Sequence, residues 1–158
     1  MKKIVFLLIV IALILPASIF ADNDVEYEVQ ATLAMTLSTF GVVFISSMFG
    51  AAPDGVTAVT DDESGKSTLK MNAFNPAGFF EQMAESTGAT DAPAKDDFPF
   101  ESMTGSISAD NDGNMFIDMT YKGGNVKTMK LETAGEDVII FTANGKDYSY
   151  IDDILNVE

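Results

Sequence analysis

The sequence predicts a mainly β, α+β fold: an antiparallel meander forming a curved sheet or a small open or closed barrel of about eight strands, with one or two helices. Three observations carry this expectation. From Phe100 onward, alternating segments recur at about ten-residue spacing between turns rich in Asn, Asp and Gly. Asn144-Gly145 sits between two such segments and has the chemistry of a two-residue hairpin turn. Asn75-Pro76 and Gly88 bracket a short run whose apolar residues fall at helical spacing.

Read from the N-terminus, the chain opens with Lys2 and Lys3, an unbroken apolar run from Ile4 to Leu15, and a small-residue ending at Ala21. This is the pattern of a Sec signal peptide over residues 1–21, with no lipobox cysteine after it. Residues 22–158 then form a single β-rich domain. Val25, Tyr27, Val29, Ala31, Leu33, Met35 and Leu37 occupy every second position, with Glu26, Glu28 and Gln30 among the residues between. That alternation predicts one long strand with one wet face.

Residues 38–52 are uncharged and apolar. Ser38 or Thr39 offers an N-cap and Gly50 a C-cap, so a buried or groove-covering helix is expected, with a second strand as the alternative. A membrane span is the third reading, because a helix begun near Ala31 reaches the roughly 20 residues a bilayer requires. Strands follow at 56–60 and 67–73, joined by an acidic turn. A helix over 76–87 takes Asn75 as N-cap and Pro76 as its first residue. The segment 88–99 is small, acidic and proline-bearing, the composition of a flexible loop. The meander fills 100–150, and Asp152 and Asp153 begin a terminal turn.

Composition narrows the chemistry. The chain holds 9 lysines against 24 acids, a net charge of −15, and residues 22–158 alone carry −17 because Lys2 and Lys3 precede them. Such a chain repels nucleic acid, and its 47% hydrophobic content is too high for simple disorder. Cys, His, Arg and Trp are absent. Thiol nucleophiles, imidazole bases, thiolate metal sites and bidentate guanidinium recognition go with them.

Four local patterns invite a chemical reading. Thr60 to Ser67 ends in Gly-Lys-Ser like a phosphate-binding loop, but Thr60 stands where the motif requires Gly, and three acids crowd the loop, so it reads as a hairpin turn. Ser67 and Lys70 match a Ser-x-x-Lys pair, yet the alternation of Leu69, Met71 and Ala73 places them on opposite faces of a strand. Asp110, Asp112 and Asn114 form a weak calcium candidate whose flanking carboxylates are missing. Asp110 with Asp118, or Asp61 with Glu63, are carboxylate pairs at expected turns. No catalytic residue, resident metal or cofactor is expected.

After residue 21 the chain keeps eight methionines and ten phenylalanines, where a rigid core would favour Leu. The bland account is that they fill the core. The sharper one is an apolar groove lined by Met35, Phe40, Phe44, Met71, Met115, Met119 and Met129, holding a lipid, a peptide or a hydrophobic segment of an envelope protein. Such an architecture resembles that of lipocalin-like barrels and of the half-barrels that carry lipid or lipoprotein through the periplasm. No family motif accompanies the resemblance, so no residue role carries over. The expected function is an exported, non-catalytic, acidic cell-envelope protein in the periplasm, on the cell surface or secreted. The alternative is a structural or interaction module without a small ligand.

Overall fold

The structure, a computed structural model, describes residues 24–88, 94–135 and 137–148. The expected signal peptide over 1–21, residues 89–93 of the acidic 88–99 segment and the expected terminal turn lie outside the described residues. In chain order the elements are α1 (Asp24–Met48), β1 (Val56–Asp61), β2 (Lys66–Phe74), α2 (Pro76–Thr87), a single 3-10 turn (Lys95–Asp97), β3 (Ser102–Ala109), β4 (Met115–Lys122), β5 (Thr128–Ala134), β6 (Asp137–Ala143) and β7 (Lys146–Asp147). The strands form one antiparallel sheet in sequence order, β1 to β7, which is open rather than closed into a barrel.

One expectation is overturned. Residues 25–37 are not a strand but the first half of α1, which is 25 residues long and spans about 37 Å. The sheet therefore has seven strands, not eight. The misreading has a specific cause: Val29, Leu33 and Leu37 satisfy a period of two and a helical spacing of four at once. Thr32, Thr36, Thr39, Phe40 and Val43 decide the matter, since they are buried with those three along one helical stripe. Nor does α1 begin at Ser38 or Thr39; it is already under way at Asp24. Its end is as expected. Gly50 adopts φ 77°, its N–H bonds the Ser47 carbonyl at 3.1 Å, and the Ala51 N–H bonds Ser46 at 2.9 Å, a Schellman cap.

The buried threonines are compatible with an apolar interface because the helix absorbs their hydroxyls. Thr32 donates to the Glu28 carbonyl at 2.7 Å and Thr36 to the Thr32 carbonyl at 2.6 Å. The second helix matches its sequence signals: Asn75 Oδ1 accepts from the Gly78 N–H at 3.1 Å, Pro76 opens the first turn, and Gly88 closes it at φ 69°. Phe79 anchors α2 to the core beside Phe74, while Phe80 stacks on Phe98 beyond the 3-10 turn.

Register sorts the sheet into two faces, because residues directly opposed across antiparallel strands share a face. Inward lies an aliphatic row, Leu69, Ile107, Ile117, Leu131 and Phe141. Beside it runs a methionine row, Met71, Gly105, Met119 and Met129, ending at Ala143. A third row holds Phe74, Met103 and Tyr121. All three belong, with the buried stripe of α1, to one hydrophobic core. The outward face is more polar, with Lys70, Ser106, Asp118, Lys130 and Thr142 in one row, where Lys130 and Asp118 form an ion pair at 3.8 Å, beside a mixed row of Val59, Thr68, Ser108, Phe116, Glu132 and Ile140. This is the wet face that lets a sheet covered on one side stay in water.

Gly105 sits within the methionine row at φ 147°, and a side chain there would collide with the Asp118 carbonyl and press on the Met119 sulfur. Gly135, at φ 63°, has open space around it. Urea unfolding should therefore separate the two: Gly105→Val loses about 3 kcal/mol or more, from strain and overpacking together, whereas Gly135→Ala loses only the roughly 1–2 kcal/mol of a left-handed backbone.

Candidate functional site

The seven residues expected to line a groove do come together in one cluster, but they do not line an open one. Met71, Met119 and Met129 are 3%, 1% and 1% exposed, and Phe40, on the buried stripe of α1, is 1% exposed. Met35, Phe44 and Met115 are half-buried and packed against the same core. Phe40 and Phe44 stack on successive turns of α1 at 5.8 Å between ring centres. The space a groove would offer is thus filled by α1 itself, whose stripe from Val29 to Val43 belongs to the same core.

Few polar bonds hold this cover in place among the described residues. Thr36 Oγ1 and the Tyr121 hydroxyl lie 2.8 Å apart. The single Thr36 proton is directed at the Thr32 carbonyl, so Tyr121 is the donor across the interface. The Met129 sulfur lies 3.7 Å from the same hydroxyl. At the start of the helix, Asn125 Nδ2 donates to Glu28 Oε1 at 2.6 Å. Burial pushes the Tyr121 hydroxyl far above the ordinary tyrosine range, so it stays a neutral donor at any physiological pH.

One buried group in the interface is unsatisfied. Thr39 is 0% exposed, and its hydroxyl finds no partner among the described residues. It differs in this from Thr32 and Thr36, whose hydroxyls bond back to the helix. Gln30 Oε1 is likewise unpaired on the flank of α1. Unpaired buried polar atoms weaken a contact without abolishing it. The helix-to-sheet interface is therefore apolar and extensive, yet imperfectly matched along its threonine stripe.

Two shallow clefts share Pro99 and Gly123 in their walls. One, of about 400 Å³, reaches Glu28 and Thr32 of α1 together with Asn125 and Lys127. The other, of about 470 Å³, lies between the start of α2 and the loop carrying Lys95 and Glu101. The turns behind them are stitched by Asn144, whose Oδ1 accepts from the Lys127 N–H at 2.7 Å and whose Nδ2 donates to the Asn125 carbonyl at 3.1 Å.

The remaining sequence candidates are accounted for locally. Asp110 Oδ1 accepts from the N–H groups of Asp112 and Asn114 at 2.9 and 3.0 Å, and Oδ2 accepts from Asn114 Nδ2 at 2.8 Å. Slight burial raises its pKa, but the hydrogen bonds from Asn114 and Asp112 outweigh this and hold it below the usual range. Asn114 Oδ1 meanwhile accepts from the Gly135 N–H at 2.9 Å. The calcium candidate is thus a pair of interlocked hairpin turns, and the described residues contain no group of three potential metal-ligating acids. Asp61 caps its own turn through Glu63 and Ser64, which lowers its pKa. Ser67 and Lys70 lie three residues apart on β2, facing opposite sides.

Comparison with protein-family models, curated proteins and solved structures finds no match. Function must be argued from this chain's own geometry. Sequence reasoning missed the polar seam of Thr32, Thr36, Thr39 and Tyr121. Its one visible signal is the recurrence of Thr at spacings of four and three within an uncharged run.

Two outcomes follow for the seam. In thermal or urea unfolding, Thr39→Val should stabilise by about 1 kcal/mol, because a methyl replaces an unpaired hydroxyl, while Thr36→Val should destabilise by about 1–3 kcal/mol by stranding the Tyr121 proton. Alkaline titration supplies the second. The unfolded chain releases the Tyr121 proton near 10.0 and the folded chain only well above it. Above that pH the unfolded state binds fewer protons, so stability falls as pH rises. Tyr121→Phe, followed by urea midpoints from pH 9 to 11.5, should remove part of that decline.

Proposed function

We propose that the protein is an exported, non-catalytic, acidic envelope protein whose methionine-lined sheet face takes an apolar ligand, or the hydrophobic segment of a partner, in place of α1. The observation that carries this reading is the pairing of the Met71, Met119 and Met129 row with a cover whose contact face includes three threonines, one of them unsatisfied. Methionine repacks around varied apolar shapes at little cost, which suits a face that must accept more than one occupant. Export rests on the signal-peptide pattern of residues 1–21.

The composition of α1 supports its displacement. Residues 29–48 contain no charged side chain, and Tyr27–Met48 is long and apolar enough to cross a membrane, with mean hydropathy 1.6. A cover of this kind loses little when it exchanges the sheet for lipid or for a hydrophobic partner.

Native mass spectrometry of residues 22–158, purified from the envelope fraction without detergent, tests the reading together with uptake of an apolar fluorescent probe. The wild type should retain apolar cargo and take up the probe. Thr39→Val should weaken uptake about fivefold, since roughly 1 kcal/mol of added closing energy must be overcome before the face is free. An empty wild-type chain that ignores the probe would refute the carrier. Insolubility without detergent would instead identify α1 as an anchor.

A further inference from the structure

We infer that the free edge of β1 is a docking site for an extended, cationic segment of another protein, added to the sheet as an eighth strand. The inference does not depend on the carrier reading, because it uses the edge of the sheet rather than its covered face.

The backbone defines the site. β1 is the first strand of the sheet and, among the described residues, pairs only with β2, in unbroken register from Val56 opposite Met71 to Asp61 opposite Lys66. The Asn72 N–H bonds the Gly55 carbonyl at 2.8 Å. By the alternation of antiparallel pairing, residues 57, 59 and 61 then turn their backbone groups toward β2, and residues 56, 58 and 60 turn theirs away. The Val56 N–H is taken by the Pro53 carbonyl. The Val56 carbonyl and both backbone groups of Ala58 and of Thr60 are left as a row of five without a partner among the described residues. From Thr57 to Asp61 every residue is exposed, so none of the described residues lies over this edge.

Protected edges carry a lysine, a proline, a bulge or a covering loop. Val56 to Thr60 has no lysine or proline, its pairing with β2 has no bulge, and its side chains are uncharged. It is an edge built to be paired. Its inward residues Ala58 and Thr60 are small and exposed, although Ala58 stands opposite the fully buried Leu69. Alternate apolar side chains of an added strand would lie there against the rim of the core. Val59, 54% exposed, offers an apolar contact on the other face.

Charge selects the occupant. Asp54 precedes β1, Asp61 ends it, and Asp62 and Glu63 follow, so both ends of the edge are acidic on a chain of net charge −15. A second copy would run antiparallel and set the Asp54 end of each protomer against the acidic turn of the other. An extended segment with an apolar centre and lysines or arginines at both ends meets the opposite field at each end, while its backbone satisfies the five free groups.

The test uses residues 22–158 and a labelled decapeptide, Lys-Lys-Thr-Val-Thr-Val-Thr-Val-Lys-Lys, followed by fluorescence anisotropy. Binding is expected and should weaken steeply with added salt. A peptide with Glu in place of Lys should not bind. Ala58→Pro deletes an N–H that faces away from β2, so the fold persists, with an unchanged circular-dichroism melt, while affinity drops about tenfold or more. Asp62→Lys with Glu63→Lys should weaken the lysine peptide and leave the melt unchanged. No binding by the wild type, equal binding of the two peptides, or indifference to Ala58→Pro would each overturn the inference. So would sedimentation showing a dimer that Ala58→Pro dissolves, because the edge would then belong to a second copy.

Discussion

Everything in this structure depends on α1 covering the inner face of the sheet. The strands turn Leu69, Ile107, Ile117, Leu131, Phe141 and the methionine row to one side, and an open sheet has no second sheet or barrel closure to bury them. Each such side chain contributes roughly 1.5–3 kcal/mol only if water is excluded from it. The helix is long enough for the task and has no charge after Glu28. The same property that qualifies it as a cover also makes it apolar enough to leave the sheet for lipid.

The threonine stripe explains how such a helix is held without being welded. A pure leucine face on α1 would bury more apolar area and remove the unpaired Thr39 hydroxyl, but it would strand the Tyr121 hydroxyl. Thr36 instead reaches Tyr121 in a geometry that one proton satisfies, and Thr39 remains without a partner. A buried hydrogen bond adds modest net stability but specifies position strongly, so the Thr36 and Tyr121 pair sets where the helix sits. The unpaired Thr39 hydroxyl lowers the energy with which it stays there. Position and tenacity are thus set by different residues of one stripe.

How far the fold was legible follows from the range over which its determinants act. Asn75-Pro76, Gly88 and Asn144-Gly145 act over two to four residues, and each predicted its element because cap and turn chemistry is local. The meander was legible for the same reason, since every strand pairs with its sequence neighbour. Residues 25–37 failed because Val29, Leu33 and Leu37 fit both periods. Only a tertiary fact, that Thr32, Thr36 and Thr39 face the sheet, separates them. The methionine candidates were found by composition, but their alignment across four strands is a matter of register, which no single segment encodes. Gly105 shows the limit most plainly: in sequence it interrupts a strand, and in the structure it makes room for the Met119 sulfur.

Charge is kept out of this architecture, with consequences for how the protein responds to acid. The described core contains no ionised group, and the ion pair of Lys130 with Asp118 lies on the outward face between half-exposed partners. Acidification therefore breaks no buried pair. It removes mutual repulsion among the many surface carboxylates, which favours the compact state, and it costs the two capping interactions of Asp61 and Asp110, whose pKa values are held below the ordinary 3.8. A carboxylate lowered in the folded state supports folding above its unfolded pKa and loses that support as pH falls through the folded value. Those losses fall in the turns around β1, β3 and β4, not in the helix and sheet interface. Moderate acid should leave the cover in place and loosen first the acidic hairpins at one end of the sheet.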